Sequence, residues 1–300
     1  MQITVRFPLI INSRIRLQRW LVVLSRLPRL STAVILAVVL SALGAGLLTS
    51  SVLPEANQID LRFRYAPPWP LAGSSPAHLL GTDRLGRDLL SRMLVGAQNS
   101  LSVALLAIAF AASVGTFLGL MAGYLSGWVD GLIMRCVDIM MSFPAILVAL
   151  VFVVTIGASF GMVVATLSLL LWAQYARLVR GQVLSLKERD FVALAHVAGC
   201  STRHILTVHI LPNIVNSVVV LATLQIGWGI VVESALSFLG AGVPPPAPTW
   251  GNLVAEGRDV LDQAWWVAVC PGLAIMLVVL SFNLFGDWVR DALDPKLRQL

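Results

Sequence analysis

The run Ile139–Ala176 contains no charged residue, and this constrains the fold more than any motif in the chain. As one helix rising 1.5 Å per residue it would be about 57 Å long, whereas the hydrocarbon core of a bilayer is about 30 Å thick and takes roughly 20 apolar residues. The stretch is too long for one span and too apolar for a surface facing water. Its middle reads Gly-Ala-Ser-Phe-Gly (Gly157–Gly161), a turn signal. The sequence therefore predicts two spans folded back as a tight hairpin, with Pro144 kinking the first.

Four further apolar runs have the length of a span: Leu30–Leu53, Leu101–Tyr124, Ile214–Leu239 and Trp265–Phe285. The expectation is an all-α membrane protein of six transmembrane helices. Composition agrees, since 58% of the residues are hydrophobic and 12% charged, against about 25% charged in soluble domains; the mean hydropathy is +0.86. The isoelectric point near 9.9 does not indicate nucleic-acid binding. Arg6, Arg14, Arg16, Arg19, Arg26 and Arg29 crowd one end with no acid among them, directly before an apolar run. That is the positive-inside pattern of a cytoplasmic tail, and the run after it is too long for the apolar region of a cleaved signal peptide.

The resulting division is a cytoplasmic tail at 1–29, a first span at 30–53, an external loop at 54–100, a five-helix core at 101–286 with a cytoplasmic loop at 177–213, and a cytoplasmic tail at 287–300. Both termini are expected inside. The external loop resists this orientation, because it carries Arg62, Arg64, Arg84, Arg87 and Arg92.

Several chemistries find no support. Cys136, Cys200 and Cys270 are odd in number and far apart, which fits neither a disulfide framework nor a thiolate metal site. Neither Lys187 nor Lys296 follows a glycine, so the phosphate-cradling loop of a P-loop ATPase is missing. His196, His204 and His209 match no standard zinc spacing and read as solvated or interfacial side chains rather than metal ligands. No nucleophile elbow occurs. The chain is expected to bind no metal or cofactor of its own and not to be an enzyme.

Within the polar loop, Asp190–Ala198 has the i, i+3, i+4, i+7 pattern of a short amphipathic helix, with Phe191, Leu194, Ala195 and Ala198 on one face. Gly199 ends it, Ser201 or Thr202 caps a second helix, and Pro212 is expected to break that helix after Leu211. A hairpin this small needs an apolar surface to dock on, either its own membrane domain or a partner.

This segment resembles the EAA loop of ABC-importer permeases, in which a glycine separates two short helices and Leu-Pro closes the second. Gly199, Ile210, Leu211 and Pro212 match, while Ala193-Leu194-Ala195 stands in place of Glu-Ala-Ala, with only the last Ala kept. "HLLGTDRLGRDLLSR" (His78–Arg92), "VDGLIMRCVDIMMSFP" (Val129–Pro144), "ESALSFLGAGVPPPAPTWG" (Glu233–Gly251) and "FNLFGDWVRDALDPK" (Phe282–Lys296) are similar to hallmarks of the dipeptide/oligopeptide/nickel branch, in family order. The resemblance implies a type I ABC importer permease of the bacterial inner membrane, the C-type subunit and half of a translocation pore for di- or oligopeptides. Nickel or glutathione is the alternative cargo, and a stand-alone secondary transporter is a remote alternative class. It also implies a homologous second permease, two ABC ATPase subunits that use ATP and Mg, and an extracytoplasmic substrate-binding protein. The hairpin would be the coupling helix, with Asp190, Phe191, Ala195, Gly199 and Pro212 at the ATPase.

Other residues carry separate expectations. Glu233 is the one acid well inside a span, where burial is expensive, and reads as a pore group, an inter-subunit partner or a headgroup contact. Gly115, Gly119 and Gly123, with Gly127 continuing the series, form a ladder that lets a neighbouring backbone approach closely. Arg135 and Asp138 are spaced to pair along one helix. Trp265 and Trp266 read as an interfacial aromatic belt.

Overall fold

A computed structural model describes residues 27–51 and 55–293, with the side chains of 46–51 set aside. The arginines before residue 27 and the tail from 294 onward lie outside the described residues. The described chain is helical, with one isolated bridge between Thr82 and Asp88. Its helices are α1 (Arg29–Ser51), α2 (Leu89–Leu125), α3 (Gly127–Ser142), α4 (Ala145–Ile156), α5 (Phe160–Lys187), α6 (Asp190–Val197), α7 (Thr202–Phe238), α8 (Trp250–Arg258) and α9 (Trp266–Leu293). Four of them, α2, α5, α7 and α9, are each long and apolar enough to cross a membrane. The α3–α4 pair supplies a fifth, broken span. With α1, this gives six apolar helical segments.

The predicted hairpin is present. Gly157 closes α4 at a φ of +107°, and Ser159 caps α5 by accepting the Met162 N–H at 3.1 Å. Pro144 does more than kink its span: α3 and α4 meet at 91°. Phe143, immediately before the proline, is extended (φ −96°, ψ 143°), because the proline ring excludes helical geometry from its predecessor.

The most extensive packing is between α2 and α5, and the glycine ladder explains it. A methyl group on Gly115 would lie 2.4 Å from the Trp172 carbonyl oxygen. On Gly119 it would lie 2.6 Å from that of Ala176, and on Gly123 2.7 Å from Val183 Cβ. Gly127 does not continue the series. It has φ +62° and nothing within 4 Å, and it serves the turn between α2 and α3.

The arginines that resist the topology are mostly neutralised at one end of the bundle, here the loop end. Asp83, with its side chain 1% exposed, accepts from Arg87 Nε at 2.7 Å and from Arg92 at 2.6 Å. Glu256 of α8 accepts from Arg92 at 2.6 and 2.9 Å and from Arg87 at 3.1 Å. Two acids and two bases thus form a neutral box joining the 55–88 loop, α2 and α8. Beside it, Asp88 caps α2 through Ser91 N–H (2.8 Å) and pairs with His78 Nδ1 (2.9 Å). Arg62 is exposed and pairs with Asp60 at 2.7 Å, which holds that carboxyl below its usual range. The glycines of the His78–Arg92 motif have steric reasons. Gly81 and Gly86 have φ of +78° and +73°, and a side chain on Gly86 would meet the Asp60 carbonyl oxygen at 1.8 Å.

The Arg135–Asp138 pairing and the Trp265–Trp266 belt are corrected. Asp138 pairs with Arg177 of α5 instead of Arg135, and Asp130 takes a two-pronged pair from Arg180 (2.5 and 2.6 Å). The packed α3–α5 face places those carboxylates nearer to α5 than to their own helix neighbours. Trp266 is not part of an interfacial belt. It is 5% exposed and donates its indole N–H to the Thr82 carbonyl at 3.1 Å, while Trp265 stays half exposed.

Gly119→Ala is expected to destabilise the chain by about 1–3 kcal/mol through overpacking, and Gly161→Ala, which faces open space, to be neutral or stabilising. Thermal unfolding of the purified chain in detergent, followed by tryptophan fluorescence, separates the two. Glu256→Leu should cost about 3–5 kcal/mol, because it strips buried Arg92 of half its compensation. The double variant Arg92→Leu/Glu256→Leu should recover most of that loss in the same assay, and additive losses would refute charge compensation.

Candidate functional site

The polar segment folds as the expected helix–glycine–helix hairpin at the end of the bundle opposite the charged box. Its first turn is fixed by backbone geometry. Gly199 has φ +78°, its N–H donates to the His196 carbonyl at 3.0 Å, and the Cys200 N–H donates to that of Ala195 at 3.0 Å. This pair of bonds is the Schellman closure, which needs a left-handed residue where Gly199 stands. Ser201 then caps the second arm by accepting the His204 N–H.

The hairpin is seated on α5. Val192 and Ala195 of α6 are buried with Val179 and Val183 of α5 and with Ile205, Ile210 and Ile214 of α7. The His196 ring stacks on Tyr124 at the end of α2, with the Tyr124 hydroxyl 3.3 Å from His196 Nε2. The apolar face facing the chain's own core is therefore Val192/Ala195. Phe191, Leu194, Val197 and Ala198 point away from it and are exposed, Leu194 at 68% and Val197 at 85%. Of the residues expected at a partner, Asp190, Phe191, Gly199 and Pro212 are exposed, whereas Ala195 is 7% exposed and belongs to the core.

Pro212 does not break the second arm. The helix runs through it because Ile205–Ile210 widens into a π turn, in which the Leu211 N–H reaches back to the Leu206 carbonyl. The wider turn accommodates a residue that has no N–H and whose ring would collide in a tight helix. Asn213 Nδ2 donates to the His209 carbonyl at 2.6 Å, satisfying an acceptor at the edge of the π turn.

A family model described as binding-protein-dependent transport system inner membrane component matches residues 115–299. The chain belongs to that family. The dipeptide transport system permease protein DppC of Alkalihalophilus pseudofirmus is 41% identical over 265 residues, 88% of this chain and 84% of the relative. The di/tripeptide transport system permease protein DppC of Pseudomonas aeruginosa is 42% identical over 236 residues, 79% of this chain and 78% of the relative. The glutathione transport system permease protein GsiD of Pectobacterium atrosepticum is 45% identical over 226 residues, 75% of each chain. The chain is thus an ABC importer permease, a multi-pass inner-membrane protein and one component of a transport complex.

In this permease a groove of about 840 Å³ opens between α5 and α7 near the hairpin end. Its polar lining includes Gln174, Arg177 and Gln182 from α5 and Asn213, Asn216 and Ser217 from α7. Gln225 donates to Gln174 across the same pair of helices. Glu233 lies elsewhere, fully buried within its own chain. Its carboxylate accepts from Ser237 Oγ at 2.8 Å and Ser100 Oγ at 3.2 Å, and Ser100 Oγ in turn accepts the Trp250 N–H. Glu233 thereby ties α7 to α2 and the start of α8, with its side chain enclosed by its own chain.

The histidines also divide. His196 packs on Tyr124, whereas His204 and His209 meet each other beside Cys200, a grouping that their linear spacing hid.

Gly199→Ala should cost about 1–2 kcal/mol, the penalty of forcing a Cβ into left-handed geometry, even though nothing lies within 4 Å of that position. Gly131→Ala, helical and equally open, should cost nothing. Equal thermal unfolding temperatures for both variants would show that the turn does not depend on φ.

Proposed function

We propose that the chain forms half of the translocation pore of an ATP-driven importer of short peptides, and that the 190–212 hairpin is the lever on which separate ATPase subunits act. The observation that carries this is the exposed stripe Phe191, Leu194 and Val197, held on an arm fastened to α5 and α2. Exposed apolar groups on a helix of eight residues have no use for the chain's own core, which already takes Val192 and Ala195. They suit the groove of a partner protein. A rigid arm transmits displacement, and the Schellman turn and the Val192–Val183 packing make this one rigid.

In this reading the hairpin end faces the cytoplasm, together with both termini, and the loop end faces outward toward a substrate-binding protein. A homologous second permease completes the pore, and the two ATPase subunits bind and hydrolyse ATP with Mg. The polar groove between α5 and α7 faces the path of the cargo, where Gln and Asn side chains match the donors and acceptors of a peptide backbone. Relatives named for dipeptide and di/tripeptide transport support the peptide class. Those named for glutathione, itself a tripeptide, support that cargo as the second reading.

Leu194→Asp and Val197→Asp are expected to leave membrane insertion and the unfolding temperature of the chain unchanged. Each should lower ATPase co-purification and ligand-stimulated ATP hydrolysis by tenfold or more, about 1.4 kcal/mol or more of docking energy. Wild-type levels of both would remove the hairpin from the role of lever. In the reconstituted complex, stimulation by dipeptide-loaded against glutathione-loaded binding protein distinguishes the two cargoes.

A further inference from the structure

Past Gly199, the second arm of the hairpin gathers three metal-binding side chains. Cys200 Sγ and one ring nitrogen each of His204 and His209 all lie within 4.8 Å of one another. On an α-helix His204 and His209 would point about 140° apart, since five residues exceed one turn of 3.6. The π turn at Ile205–Ile210 alters that register. With hydrogen bonds reaching five residues, side chains five apart lie one above the other, and the two imidazoles meet edge to face with centroids 5.6 Å apart. Cys200 is delivered to the same spot by the left-handed turn at Gly199 and the cap at Ser201. Two independent irregularities of the backbone therefore converge on one donor set.

None of the three side chains has a hydrogen-bond partner elsewhere among the described residues. Cys200 and His209 are half buried and His204 is exposed, so an ion can reach them from solvent. A thiolate and two imidazoles are a borderline-soft donor set that suits Zn(II) and its neighbours and not Mg(II) or Ca(II), which take oxygen. We propose that Cys200, His204 and His209 form a three-ligand site for a transition-metal ion of the Zn(II) kind, with a fourth position open to water or a partner's side chain. Small side-chain rotations bring the three atoms onto bonds of about 2.0–2.3 Å to the ion. On binding, the thiol releases its proton to solvent and each neutral imidazole gives one nitrogen lone pair, so occupancy rises with pH. Because only the π register brings the two histidines together, a bound ion would hold that register and stiffen the hairpin's second arm. The assignment does not rest on the transport reading, since the ligands lie apart from the Phe191–Val197 stripe.

The test uses the full chain purified in detergent and titrated with Co(II). The expected result is saturation at one equivalent, with a thiolate-to-cobalt charge-transfer band and the intense visible bands of tetrahedral cobalt, both removed by Zn(II). Cys200→Ser should abolish the charge-transfer band, and His204→Ala or His209→Ala the tetrahedral bands, while His196→Ala leaves both intact. Thermal unfolding of the metal-free variants checks that each remains folded. A folded wild-type chain showing no charge-transfer band, or a band that survives Cys200→Ser and so belongs to Cys136 or Cys270, would overturn the site.

Discussion

Lipid tails solvate leucine as well as a neighbouring helix does, so helices in a bilayer gain little from apolar contact alone. What holds α2 against α5 is the close approach of their backbones over Gly115, Gly119 and Gly123, where dispersion between main chains replaces the missing hydrophobic drive. The hairpin depends on the same contact. Val179 and Val183 press on Gly119 and Gly123 and are buried in the same cluster as Val192 and Ala195. The position of the hairpin is thus inherited, one layer at a time, from three residues without side chains.

The loop end is held by different physics. Charges that would be costly to bury singly are made acceptable by mutual compensation, with Asp83 and Glu256 answering Arg87 and Arg92 in a region screened from solvent. Arg62 is answered by Asp60 in the open. The box, the His78–Asp88 cap and the Glu233–Ser100 link together fasten α2, α7 and α8 at that end.

What was legible in the sequence was whatever a local pattern encodes. Glycines at every fourth position announce a close helix contact, Gly-Ala-Ser-Phe-Gly announces a turn, and a glycine between two short amphipathic helices announces a hairpin. The charged box was not legible, since Glu256 is remote in the chain from Asp83 and Arg92 and nothing local links them. The inward face of α6 was ambiguous for a different reason. The helix is apolar on two sides, and only the shape of α5 decides that Val192 and Ala195 turn in while Phe191 and Leu194 turn out. The π turn left no trace either. Pro212 announces a helix end under ordinary rules, and the wider turn that cancels this announcement is a tertiary outcome.

The hairpin draws on the first kind of fastening. Through Val192 and Ala195 it reaches α5, and through the glycine ladder α2, along a route of tight contacts with no irregular backbone in it. Ile205 and Ile210, at the two ends of the π turn, are buried in the same cluster, so the start of α7 is seated on α5 as well. The hairpin, α5 and the start of α7 thus share one buried cluster, set beside the α2–α5 contact. The polar groove lies between α5 and α7 and is lined also by Arg290 and Leu293 of α9. Asn213, Asn216 and Ser217 line that groove just beyond the π turn, so the wider turn that admits Pro212 also sets which face of α7 the groove receives.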